Sequence, residues 1–515
     1  MIKSVLNELG PCLTSSLSKH LSEKKGISRA AARKQVERAT ASGEIKILKD
    51  LNFAHNASFA YLQKQYGTKF FNDNLFTAME EARSVLRLPL AAMRARGGCI
   101  PDSLFATISG LPIKRSHQFD SEQLKEKLVK LGLIEQDGAF LKFGTKDVIT
   151  PAQVNARLQA EMTVLSGFSG WLKGQRLIGN QMSLRFEENV PQFGFYQWDF
   201  VAPSYVAPLA TRSKAKATPG FVVADIMLGR EIKAREVQYF LDKCANIRSI
   251  KTNRPFMAFM IADWFEQDAL DLAQAKGVVF TTPKTLFGQK FSDALESLRK
   301  TLEDKEVQLS QQAAQLANFL EVTEELTTMK SMQDNLRGQL FEVMVGHCYQ
   351  KEHGGTVLHG KHFPDVSDST KKLDCDVLQL TPGTYLRACE CKGYKGTTKV
   401  TVDDAKKWFT KTTPAIRQQH DVQDYPNQEF SFWTSGEFEE DAIVWITDFA
   451  QRCKKYSVTT CAGKECEDKI KKWGDDTIKD AYKRWFKPTL VKREKMTKEE
   501  YEASQVAAAT SVNQF

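Results

Sequence analysis

Asp376, Glu390 and Lys392 are the residues of this 515-residue chain whose types and spacing are best suited to chemistry. Two carboxylates brought side by side repel, and a sequence does not normally set them beside a lysine on a partly buried sheet face without a compensating cation. A hard divalent ion, Mg²⁺ or Mn²⁺, would supply that charge, since it prefers oxygen ligands, retains waters and lowers the pKa of a water it binds. The lysine would then hold or help deprotonate the attacking water and neutralise charge building on phosphoryl oxygens.

The elements that must position these groups are legible around them. The run KKLDCDVLQLTPGTYLRACECKG reads as two strands joined by a turn at Thr381-Pro-Gly-Thr384, because Pro and Gly preset turn dihedrals between β-formers. Alternation along the second strand puts Glu390 and Lys392 on the same face as Ala388, with Arg387, Cys389, Cys391 and Gly393 on the other. Asp376 on the preceding strand falls within cross-strand reach of Glu390. Asp374, two residues earlier, could replace or assist it as a metal ligand, because the LDCDVL run leaves the register open.

This arrangement resembles the PD-(D/E)xK nuclease superfamily, whose core motif is an acidic residue before an apolar strand, a hairpin, then Glu-x-Lys, with a further acid on the first helix. Asp376 matches the first acid and Glu390-Cys391-Lys392 the second part. For the helical acid, NLRGQLFEVMVGHCYQ supplies Glu342, one turn before Gly346. After the hairpin VDDAKKWFTK reads as helix and AIVWITDF as strand, in an order that fits the superfamily through about residue 450. The resemblance implies catalysis by Asp376, Glu390, Lys392 and Glu342 with Mg²⁺ or Mn²⁺.

An earlier block, from about residue 153, echoes the same plan: a helix around Gln159 to Trp171, then strand-like FGFYQWDFVA, FVVADIML, PFMAFMIADWF and GVVFTT with helices between them. Its later part looks like the closing elements of Mrr-like restriction endonucleases. Asp199 and Asp225 stand where the two acids would be, but Met227 takes the lysine position and an apolar thioether cannot stabilise a phosphorane. This copy is expected to be a degenerate second site, unless Lys233 reaches in from the next helix.

Upstream, residues 1–68 read as three helices and a hairpin. Ser28 is placed as an N-cap for RAAARKQVERATASG, Gly43 ends that helix, and EIKILKDLNFAHNASFAYL supplies the strands. The order resembles a winged helix-turn-helix, with Arg29, Arg33, Lys34 and Arg38 either contacting nucleic acid or forming a solvated helix face. Residues 69–152 resemble a second winged helix: a helix stopped by Pro89, an amphipathic SEQLKEKLVKLG, and a hairpin marked by Asp137-Gly138. Between the α/β blocks, residues 291–335 read as a long helix or short coiled coil on Leu295, Leu302, Leu309 and Leu316, whose stripe either makes a homodimer or packs on a flanking domain.

The expected fold class is thus α/β multidomain: winged-helix modules, then two restriction-endonuclease-like domains at 153–290 and 336–487 joined by a long helix, with a mobile tail at 488–515. A length of 515 residues exceeds what one hydrophobic core sustains. With 42% hydrophobic and 26% charged residues the composition is that of an ordinary globular chain, and the net charge of +9 is compatible with a polyanionic partner without requiring one. No secretory signal and no membrane-length apolar run is seen, so a cytoplasmic location is expected. The 10 cysteines are scattered; Cys461 and Cys466 have zinc-ligand spacing but lack a second pair, and idle thiols are the preferred reading. Expected function is a DNA endonuclease in restriction of foreign DNA. A non-catalytic DNA-binding protein on nuclease-like scaffolds, a nuclease for RNA or branched DNA, and the need for a partner protein all stay open.

Overall fold

The computed structural model describes residues 2–49, 51, 53, 57–113, 120–143, 148–186, 190–207, 209–212, 217–304, 307–324, 330–368, 371–394, 398–420 and 424–487. The expected tail at 488–515 lies outside them. The chain divides into two compact units, Met1–Val307 with Asn318–Asn335, and Gln308–Ala317 with Leu336 onward.

The first unit opens with helices Ile2–Leu9, Thr14–Lys25 and α1 (Arg29–Ala41). Strands Cys12–Leu13, Lys46–Leu48 and Phe59–Tyr61 form one antiparallel sheet with the last of them central. Helix α1 starts where the sequence places it, because the Ser28 hydroxyl accepts from the Ala31 N–H. Its Ala32, Val36 and Ala39 are buried with Leu17 and Leu21, while Arg29, Arg33, Lys34 and Arg38 are exposed.

A second group repeats the plan with helices Lys69–Glu81, Arg87–Ala95 and Ser121–Lys130 and a sheet of Cys99–Pro101, Phe140–Phe143 and Ile134–Asp137. Here Pro89 does not stop a helix. It sits in the first turn of Arg87–Ala95, where a missing N–H costs nothing, and the preceding helix already ends at Glu81.

The rest of this unit is a mixed sheet behind the 24-residue helix α2 (Pro151–Gly174). Its strands are β1 (Ser183–Leu184), β2 (Phe200–Ser204), β3 (Gly220–Ile232), β4 (Phe256–Phe265) and β5 (Val279–Thr281), with helix α3 (Gln238–Ser249) linking β3 to β4. They neighbour one another in sequence order; the first two pairings are antiparallel and the last two parallel. One apolar cluster runs from the second helical group into this sheet, joining Leu88 and Leu90 to Val223, Met227 and Tyr239.

Residues 291–335 do not form one long helix. Helix Gln289–Glu303 ends as Asp304 leaves the helical region, and helix Leu309–Glu324 follows. Leu295 and Leu316 are buried whereas Leu302 and Leu309 are half-buried, so the seven-residue stripe is no continuous seam. Phe291, packed edge-on to Phe287 and at a tilt to Phe319, turns the first of these helices toward its own unit instead.

The second unit repeats the mixed-sheet plan. Another 24-residue helix, α4 (Lys330–His353), precedes β6 (Thr356–Pro364), β7 (Lys372–Thr381), β8 (Tyr385–Lys392), β9 (Asn427–Thr434) and β10 (Ser457–Ala462). Again the strands neighbour in sequence order, two antiparallel pairings followed by two parallel ones. One sheet face buries Leu386, Ala388, Phe430 and Phe432 against Trp408, Phe409 and Ile416, each large side chain removing apolar surface worth about 2–3 kcal/mol from water. The AIVWITDF run is not a strand but the middle of helix Glu440–Arg452. Its acids Glu440 and Asp441 occupy the first turn, and Ala442 and Ile446, four residues apart, both face the core. The strand expected there is β9, whose NQEFSFWT sequence is buried on both faces.

Candidate active site

The β7–β8 hairpin puts Val377 opposite Cys389, so the next pair outward is Asp376 and Glu390. Asp376 is held there by the chain of its neighbour: the Cys391 N–H donates to Asp376 Oδ2 at 2.7 Å. Two residues along, Lys392 Nζ donates to Glu390 Oε1 at 2.7 Å, with the lysine side chain 31% and the glutamate 19% exposed. The three predicted groups therefore meet at the end of β8, half-buried.

Glu342 approaches from α4. That helix comes close because residue 393 has no side chain: a Cβ on Gly393 would stand 2.7 Å from Phe341 Cβ and 2.9 Å from the Arg337 carbonyl oxygen. One turn further on, Gly346 lets the helix press on β6, where a Cβ would meet the His359 ring at 2.3 Å. On the far side Thr434 and Ser435 both donate to the Lys392 carbonyl at 3.1 Å, fixing the strand end.

Electrostatics record the crowding. Burial, then Glu390, pushes the Glu342 carboxyl up to about 8. Burial, Glu390 and Glu342 push Asp376 well above the usual carboxylate range. Burial works against the Lys392 ammonium, but Glu390 and Asp376 outweigh it and hold its pKa above that of an ordinary lysine. Three carboxyl groups share one ammonium, so in the absence of a further cation the crowding is relieved by protons held on Glu342 and Asp376.

Asp374 does not join them as a direct neighbour of Glu390. It lies opposite His362 on β6, exposed, with His362 Nδ1 and Asp374 Oδ1 2.5 Å apart. Among the described residues no three His, Cys, Asp or Glu side chains already converge at metal-ligand spacing. Mg²⁺ commonly takes one or two carboxylates and completes its shell with water and substrate oxygens, so Asp376 with Glu390 or Glu342 is a sufficient donor set. Cys461 and Cys466 are buried thiols.

In the first unit the expected second site is closed. Asp199 and Asp225 are fully buried, as is Met227 in the lysine position. Lys233 does not reach them: its side chain is 45% exposed and stands 3.9 Å from Glu266. The lysine against Asp225 is Lys243 of α3, at 2.7 Å, and a third buried acid, Glu161 of α2, joins the group with Arg185 and Arg96. Sequence reading missed all four. Glu161 had a signal, an acid amid apolar residues in the helix before the first strand; Arg96, Arg185 and Lys243 had none. The aromatic residues of the last helices point inward, with Tyr482, Trp485 and Phe486 buried.

What the geometry defines is a mixed α/β unit with an acidic, lysine-bearing strand end. No protein-family model and no curated protein matches the chain. Among solved structures it is similar to a protein of unknown function, AF1548 (12% identity, 32% of this chain and 98% of that one, TM-score 0.18). It is also similar to the MspJI restriction endonuclease in complex with a 27-mer oligonucleotide (11%, 33% of each chain, 0.19). A third is the restriction endonuclease FokI bound to DNA (12%, 54% and 61%, 0.16). The chain thus spans a third of the MspJI chain and under two thirds of the FokI chain. Likenesses with TM-scores this low carry no inference about activity.

Proposed function

We propose that the chain is a divalent-metal-dependent endonuclease that hydrolyses DNA phosphodiesters. The observation that carries this reading is the meeting of Asp376, Glu342, Glu390 and Lys392 at one half-buried strand end with more carboxylates than cations. Such a cluster suits a hard cation, and Asp376 and Glu390, with Glu342 beside them, would hold Mg²⁺ or Mn²⁺. The ion would supply Lewis-acid polarisation of the phosphate and a more acidic water.

The chain's own groups have separable work. Asp376, immobilised by the Cys391 amide, keeps its carboxylate in place without reorganisation. Lys392 stays protonated, so its task is to neutralise negative charge developing on phosphoryl oxygens and to orient the attacking water by donation. Glu390, which accepts from Lys392, sets the direction of that ammonium.

The N-terminal helical groups have the order and sheet topology suited to winged-helix modules, and the exposed Arg29, Arg33, Lys34 and Arg38 on α1 would meet phosphates. A role in restricting foreign DNA follows from the likeness of the sequence motifs to Mrr-like enzymes. Among the described residues no helix is long and apolar enough to cross a membrane.

The test is incubation of the purified chain with supercoiled plasmid, linear duplex, branched DNA and RNA, in Mg²⁺ and in chelator. Metal-dependent conversion of plasmid to nicked or linear form supports the reading, cleavage confined to RNA or branched DNA redirects it, and no cleavage of any of them overturns it.

A further inference from the structure

The first unit repeats the candidate active site down to its backbone anchor and then neutralises it from within. Phe200 pairs with Ala224, so Asp199 stands opposite Asp225 as Asp376 stands opposite Glu390. The Ile226 N–H donates to Asp199 Oδ2 at 2.8 Å, the counterpart of the Cys391 bond to Asp376. Glu161 comes in from the helix before the sheet, as Glu342 does.

The charges differ. Arg185 spans two of the acids, its Nη1 2.7 Å from Asp199 Oδ1 and its Nη2 2.5 Å from Glu161 Oε2. Arg96 Nη1 lies 2.9 Å from Glu161 Oε1, and its Nη2 donates to the Ile226 carbonyl. Lys243 Nζ lies 2.7 Å from Asp225 Oδ2. Three carboxylates meet three cations, with Glu161, Asp199, Asp225 and Lys243 fully buried and Arg96 3% exposed. A divalent ion does not fit among these residues, because the guanidinium groups already take the oxygens it would need.

Two of these cations, Arg96 and Lys243, also tie in the second helical group, with Arg230 beside them. Arg96 belongs to that group, following helix Arg87–Ala95. Lys243 also donates to the Thr107 carbonyl at 3.0 Å, and Arg230 Nε to the Ala95 carbonyl at 3.1 Å.

We propose that this cluster is a metal centre converted into a joint: Arg185 and Arg96 stand in place of a divalent cation, and the former ligands lock the second N-terminal group onto the α/β sheet. An ordinary buried ion-pair network would also resist loss of one partner, since that leaves an uncompensated buried charge. In a converted metal centre the acids stay so arranged that removal of the guanidinium leaves a cradle for a divalent ion.

The experiment uses the full chain carrying Asp376→Asn and Glu390→Gln, so that the second unit contributes neither metal binding nor cleavage and the outcome is independent of the nuclease reading. In that background Arg185→Ala should lower the Tm, bind one additional Mn²⁺ per chain by equilibrium dialysis, and recover Tm in Mn²⁺ but not in KCl of equal ionic strength. Adding Glu161→Gln should abolish both the binding and the recovery. A folded Arg185→Ala chain with no additional Mn²⁺ overturns the conversion. Should that variant not fold without Mn²⁺, refolding with Mn²⁺ is read instead: recovery supports the proposal and failure overturns it. For the joint, Arg96→Gln should raise amide hydrogen exchange across 99–108 at least tenfold while leaving that of α1 unchanged; unchanged exchange at 99–108 overturns that part.

Discussion

The Cys391 amide donates to the Asp376 carboxylate at 2.7 Å, so the residue between Glu390 and Lys392 is also the one that anchors the acid on the neighbouring strand. A single strand end thereby positions three functional groups, two by side-chain alternation and one through its backbone. A substitution at Cys391 that keeps the strand keeps this bond, whereas Asp376→Asn retains the shape and removes the charge.

Metal binding is expected to be coupled to protons. The Glu342 carboxyl is pushed up to about 8 by burial and Glu390, so below that pH the metal-free cluster holds a proton that a divalent ion must displace. Affinity for Mn²⁺ should rise with pH, by up to about tenfold per pH unit between 6.5 and 7.5 for each displaced proton, Asp376 being raised as well as Glu342. Calorimetric titration at several pH values checks this. Glu342→Gln should make the dependence shallower by the share of one proton; a slope unchanged in that variant would contradict the role given to Glu342.

Gly393→Ala should harm both stability and activity. Its Cβ would meet the Arg337 carbonyl oxygen at 2.9 Å and Phe341 Cβ at 2.7 Å, and helix backbone cannot yield as a side chain can. Overpacking of this kind costs about 1–3 kcal/mol. Because the displaced helix carries Glu342, cleavage should fall more than stability alone explains. A thermal melt unchanged within error would show that α4 is not seated as described.

The second unit should lose stability in mild acid through His359. Both imidazole nitrogens are enclosed without a hydrogen-bond partner, and burial lowers the pKa to about 4 from 6.5. The folded state therefore keeps the ring neutral while the unfolded chain takes up a proton as pH falls from 6.5 toward 4, and stability declines across that window, by on the order of 3 kcal/mol at most. Above 6.5 this group contributes no slope. His359→Leu, compared with wild type by denaturant titration at pH 7 and pH 5, should show a smaller loss; an equal loss assigns the acid sensitivity elsewhere.

On α1 the four cations are exposed, whereas Ala32, Val36 and Ala39 are buried. If they neutralise phosphates, Arg33→Ala with Lys34→Ala should weaken DNA binding and reduce the slope of log affinity against log salt by about 0.9 per phosphate no longer neutralised. Fluorescence anisotropy across a salt series measures it. An unchanged slope leaves the four cations as a solvated face.

What the sequence disclosed was largely what local rules control. Ser28 as a cap and the turn around Gly383 follow from side-chain hydrogen bonding and positive φ, and both are found; the hairpin at Asp137 is also present, but Asp137 pairs with Phe140, so its turn is Gly138-Ala139, with positive φ at Gly138 alone. Alternation and a plausible register were enough to bring Asp376, Glu390 and Lys392 together. The failures lie where tertiary packing overrides local preference: AIVWITDF is rich in β-branched residues yet helical, burying Ala442 and Ile446 four residues apart while Ile443 and Val444 face solvent. The leucine stripe misled because a heptad of single residues is only half a seam. Arg96, Arg185 and Lys243 were illegible because no strand alternation relates them to the acids: Arg96 is 65 residues from Glu161, Arg185 lies just past the end of β1, and Lys243 comes from helix α3.

The most direct test of the central claim is single-turnover DNA cleavage by wild type and Lys392→Ala in Mg²⁺, with Mn²⁺ binding and Tm measured on both. The lysine is partly exposed and caps a strand end, so the variant should fold and bind metal while its cleavage rate falls by about 10²–10³, the scale of losing one preorganised donor to a developing oxyanion. A Lys392→Ala chain that cleaves at the wild-type rate, or wild-type cleavage that persists in chelator, would contradict it.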